Sequence, residues 1–212
     1  MTLTKIFSQL TGGMWISIQI FFVTLIFSLP LGLFISFGRM SKNPVIRTIV
    51  KFYISVMRGT PLMLQLMVVY FGPYYLFKIK VGNNYRLWAA FIGFVINYAA
   101  YFAEIYRSGI QSMPVGQYEA AKLLGYSKTQ TFFRIIFPQV MKRILPSVTN
   151  EVITLVKDTS LAFTISVLEM FAVAKALASS QTSLIPFVAA GLFYYIFNLL
   201  VAVFMEYAEK RL

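Results

Sequence analysis

The sequence predicts an all-α integral membrane protein of about five transmembrane helices in a single domain spanning residues 1–212. Two observations carry this. Of 212 residues, 58% are hydrophobic and 12% charged, with a mean hydropathy of +0.73, where soluble domains run roughly 45–50% apolar and about 25% charged. The apolar residues also gather into runs near the roughly 20 needed to cross a hydrocarbon layer of about 30 Å. Such continuous runs fit helices, which satisfy their own backbone, rather than the weakly alternating strands of a barrel.

The first predicted span is 14–37, with Pro30 and Gly32 expected to bend it and the Thr24 and Ser28 hydroxyls available to compensate the backbone bond lost at proline. The N-terminus has no charged n-region and no small-residue cleavage site, so this run reads as a retained span. Residues 39–58 mix Arg39, Lys42, Arg47, Lys51 and Arg58 with apolar residues and are expected to lie along the interface, basic face to phosphates. The second span, 60–77, opens on Gly59, then Thr60 as an N-cap, then Pro61 at the first helical position. The third, 87–105, carries Asn97 and Glu104 on one face.

The polar region 107–143 holds a short helix, 117–124, between Pro114 and Gly125, then a capping box at Ser127 and Gln130. Pro138 and Pro146 should interrupt the climb into the fourth span, 147–173. The fifth span is 185–205.

Lys and Arg fix an orientation. With the N-terminus outside, the inner segments hold thirteen and the outer segments five, Lys157 aside, which puts 107–143 and the C-terminus in the cytoplasm. The net charge of +12 is thereby explained without nucleic acid, since the cations form no continuous stripe. The chain has no Cys and no His, which excludes thiolate chemistry and removes the commonest neutral-pH base and metal ligand; no metal site is expected. No Gly-rich phosphate loop is present, so ATP hydrolysis by this chain is not expected.

Three constellations stand out. Glu119, Ala120 and Ala121, then Gly125, Ile135 and Pro138, describe a short helix whose small residues let a partner approach and whose end is set by glycine. Arg58-Gly59-Thr60-Pro61 starts a helix whose free N–H groups would make an anion site at membrane depth, or is a plain helix start. Asn150, Glu151, Thr154, Lys157, Asp158, Thr159 and Ser160 put charges in a span at roughly 2.5–3.5 kcal/mol each, which calls for a cavity, a pairing or a function. Glu151 and Asp158 share a face roughly 10 Å along one helix, and Lys157 with Asp158 could instead be a structural pair.

The chain here resembles the membrane subunits of bacterial ABC importers of type I. Their coupling loop reads Glu-Ala-Ala, three residues, Gly, nine residues, Ile, one residue, Leu-Pro, and this spacing holds throughout, with Phe137 where the family has Leu. The stretches 58–66 and 150–161, with Glu104, Arg107 to Ile110, Gly116 and Gln117, look like the polar amino acid group, whose members carry histidine, glutamine, arginine or cystine. The resemblance implies a permease subunit working by alternating access with a second copy or a homologous chain. Partners would be two cytoplasmic ATPase subunits holding ATP and magnesium and an extracytoplasmic substrate-binding protein. Glu119, Ala120, Ala121 and Gly125 would form the ATPase contact. Thr60 and Pro61 would face the carboxylate of a polar amino acid, Glu151 and Asp158 its ammonium, with Thr159 and Ser160 along the pathway. A self-sufficient secondary transporter or channel subunit, with Glu151, Lys157 and Asp158 as an ion relay, is the alternative; a membrane-embedded enzyme is a third class.

Overall fold

The structure is a computed structural model describing residues 3–82 and 84–211. The elements are α1 (Leu3–Arg39), α2 (Pro44–Gly59), α3 (Leu62–Phe77), α4 (Tyr85–Gln111), α5 (Val115–Leu123), α6 (Lys128–Gln130), a π-turn (Thr131–Ile136), α7 (Phe137–Asp158), a 3-10 segment (Thr159–Ile165), α8 (Met170–Gln181) and α9 (Ile185–Arg211). No strand occurs among the described residues. Three helices, α1, α4 and α9, are long and apolar enough to cross a membrane; α2 with α3 and the run from α6 to α8 make two more spans bent by 111° and 60°.

α1 begins ahead of the predicted start at residue 14 and runs through Pro30 as one helix. Compensation at the proline does not take the expected form. The Thr24 hydroxyl donates to Ile20 O at 2.6 Å, and Ser28 Oγ has no partner among the described residues. Ser17, Thr24, Ser28 and Ser36 are all fully buried, and their spacing puts them on one face. Small residues drive this contact, as they must where lipid removes the hydrophobic drive between helices. A Cβ on Gly32 would sit 2.8 Å from Phe102 Cβ and 3.1 Å from Ala99 O, so α1 lies almost backbone to backbone on α4. The main core gathers Phe94, Tyr98 and Phe102 of α4 with Leu66 of α3 and Val148 and Leu155 of α7. A second cluster joins Ile6, Leu10 and Met14 of α1 to Met170 and Ala174 of α8 and Ala189 of α9.

The α2–α3 break follows from proline. Thr60, ahead of Pro61, is held extended at φ −121°, ψ 149°, as steric exclusion by the ring demands. Thr60 therefore is not the N-cap of the third helix: it closes α2, its hydroxyl donating to Val56 O at 2.8 Å, and Pro61 takes the capping position of α3. The run 147–173 is likewise not one helix. α7 tightens to 3-10 geometry at Thr159, Ser166 turns left-handed at φ 59°, and Glu169 caps a new helix at an angle. Pro146 sits inside an unbroken α7, whereas Pro138, whose ring removes a donor, is preceded by the π-turn.

Candidate functional site

The α2–α3 corner is locked by two amides. Gln65 Nε2 donates to Met57 O at 3.0 Å and to Thr60 O at 3.1 Å, and Asn97 Nδ2 donates to Met57 O at 3.0 Å and to Gln65 Oε1 at 2.9 Å. Carbonyls only accept, so both amide orientations follow from the network. Asn97 is buried near the middle of α4, which sets the corner at that depth. Thr60 and Pro61 are exposed there, and Tyr53 OH donates to Ile96 O at 2.5 Å to pin α2 alongside.

Of the α7 residues singled out, Asp158 accepts from Tyr98 OH at 2.8 Å and makes no ion pair with Lys157, so the structural-pair alternative is not what the structure holds. Thr159 is buried, with its hydroxyl on Val156 O at 2.8 Å, and Ser160 donates to Lys157 O at 2.8 Å. These two hydroxyls serve carbonyls released where α7 tightens, and both lie at the helix break. Glu151 is half-buried one helical face away from Lys157.

Glu151 opens onto a polar cavity of about 420 Å³ between α2, α4 and α7, shared with Arg58, Tyr101, Glu104, Arg107 and Arg143. Glu104 accepts from Arg107 at 2.6 and 3.0 Å, with Arg39 Nε 3.4 Å from its other oxygen. Arg143 donates to Ser112 O at 2.7 Å and to its hydroxyl at 3.0 Å. The Arg39–Glu104–Arg107 cluster was signalled in the sequence only by its i, i+3 spacing.

Glu169 is the group that sequence reasoning missed altogether. It is fully buried, accepts from Phe171 N at 2.7 Å, Ala172 N at 2.8 Å and Tyr194 OH at 2.9 Å, and so ties α8 to α9. A lone carboxylate ahead of an apolar run was the available signal: it is an N-cap.

On the opposite side, α5 ends as the glycine predicts. Gly125 has φ 80°, with Tyr126 N on Ala121 O at 3.0 Å and Gly125 N on Lys122 O at 3.1 Å, the paired bonds of a Schellman cap. Glu119 and Ala120 are exposed beside Val115, Leu123 and Leu124, while Ala121 is turned into the chain. Gln117 and Gln139 exchange amide bonds at 2.9 and 3.0 Å, joining α5 to α7. The predicted capping box at Ser127 and Gln130 is present.

A helical membrane unit with broken spans, polar groups at its centre and a protruding short helix is a transport permease. Residues 28–212 match the family described as binding-protein-dependent transport system inner membrane component, and the chain belongs to it. Among its relatives, the L-cystine transport system permease protein TcyL of Bacillus subtilis (strain 168) is 38% identical over 96% of this chain and 87% of its own length. The arginine transport system permease protein ArtQ of the same organism is 36% identical over 94% and 90%. A solved amino acid ABC transporter with histidines superposes with a TM-score of 0.87 at 29% identity over 100% of both chains. An inward-facing MetNI methionine transporter, at 16% identity and TM-score 0.78 over 100% of this chain and 99% of that one, shares the fold.

Proposed function

We propose that this chain is the membrane-spanning permease subunit of an ATP-driven importer of a polar amino acid, working with separate ATPase subunits, an extracytoplasmic binding protein and a second permease copy or homologue. The observation that carries the coupling half is α5. A short helix with exposed Glu119, Ala120 and Leu123, fixed by its Schellman cap and braced to α7 by Gln117 and Gln139, is built to be gripped and to pass a displacement on. The face carrying α5 is cytoplasmic on the count of Lys and Arg, and the N-terminus lies outside. ATP and magnesium belong to the partner.

At the centre, Thr60 and Pro61 bring the start of α3 to the pathway, where its free N–H groups favour the substrate carboxylate. Glu151 and Asp158 offer negative charge to the ammonium. Thr159 and Ser160 hold the α7 break beside it.

The test is co-purification from native membranes. Wild type should bring an ATPase subunit with it, and Glu119→Arg should lose that subunit while keeping its own yield and melting temperature. Wild type purified gently without any ATPase would refute the importer reading in favour of a self-sufficient transporter.

A further inference from the structure

Five charged side chains line the polar cavity, and three of them are accounted for inside the chain. Arg107 and Glu104 pair at 2.6 Å, and Arg143 is tied to Ser112. Arg58 and Glu151 are different. The Arg58 guanidinium lies over the Tyr101 ring, 5.2 Å from its centroid, and forms no hydrogen bond or ion pair among the described residues; Glu151 forms none either. An anion and a cation therefore face one cavity, in spans, without neutralising each other. Unpaired charges at membrane depth are expensive and mark function.

The geometry points to a receptor for the zwitterionic frame of a free α-amino acid: its carboxylate on the Arg58 guanidinium, its ammonium on Glu151. The planar fork of arginine suits a carboxylate bidentately, and the Tyr101 ring beneath fixes the plane of that fork. Arg58 lies in the last turn of α2, the turn whose carbonyls Gln65 and Asn97 clasp, so the cation sits on the most tightly fixed part of the broken span. It adds a full positive charge where the start of α3 offers a partial one. Asp158, already bonded to Tyr98, is left to the side chain of the substrate. Such a receptor reads what all α-amino acids share and rejects molecules lacking either charge.

This rests on the amino acid permease reading, and the experiment separates the two. The permease is purified with whatever ATPase accompanies it and without binding protein, and equilibrium binding of radiolabelled L-glutamine, L-arginine and L-cystine is measured. At least one should bind wild type, and should be displaced by its unlabelled form but not by its α-amide or its decarboxylated amine. Arg58→Gln and Glu151→Gln should each weaken binding at least about ten-fold, a change of roughly 1.4 kcal/mol, with Arg58→Lys intermediate. Melting temperature and ATPase recovery should stay at wild-type values in all variants. The receptor is overturned if wild type binds none of the three at millimolar concentration, if the amide competes as well as the acid, or if both Gln variants bind like wild type. If the ATPase is missing from wild type, the importer reading falls instead.

Discussion

Replacing Asn97 tests the corner on which the central site depends. Asn97→Leu keeps the side chain's volume and removes two donated bonds, to Met57 O and to Gln65 Oε1. Met57 O keeps its bond from Gln65, so one acceptor only, Gln65 Oε1, is left without this donor. Two bonds at about 0.5–1.5 kcal/mol each give a loss of roughly 1–3 kcal/mol. Asn97→Asp should be worse despite its closer shape, because it turns an acceptor toward two acceptors and buries a charge. Thermal unfolding of the purified permease in detergent, followed by intrinsic fluorescence, should rank wild type above Asn97→Leu above Asn97→Asp. Uptake by the intact importer should fall in the same order. Asn97→Leu melting with wild type, or Asn97→Asp melting above Asn97→Leu, would show that the corner is held by something other than this network.

Two further substitutions probe packing and capping. Gly32→Ala should destabilise by roughly 1–3 kcal/mol, since its Cβ meets α4 backbone that cannot yield, whereas Gly191→Ala, with nothing within 4 Å, should melt with wild type. Glu169→Leu strips the acceptor from two N–H groups and the Tyr194 hydroxyl and should lower the melting temperature well below that of Tyr194→Phe, which removes one bond of about 1 kcal/mol. Equal melting temperatures for those two variants would mean that Glu169 is not the cap of α8.

The helices, the capping box and the glycine stop at residue 125 could be read from the sequence because each depends on near neighbours in the chain. What could not be read depends on distant ones. Thr60 and Pro61 fit a helix start and a helix end equally well; the choice fell to Gln65 and Asn97, the latter reaching back from another span. Glu169 hid inside an apolar run because its third partner, Tyr194, lies on a different helix, and that tyrosine reads alone as packing. The facing of Arg58 and Glu151 is likewise a property of three elements meeting, and no local spacing records it.

The π-turn at Thr131–Ile136 gives the chain a swivel. At 3.6 residues per turn, moving such a wide turn by one residue rotates everything after it by roughly 100° about the helix axis. The amide exchange between Gln117 and Gln139 straddles this point, so axial thrust from α5 crosses to α7 by a strut while azimuth is left to the swivel. How far the rod travels and which of its sides it shows to the middle of the membrane are thus set by separate parts.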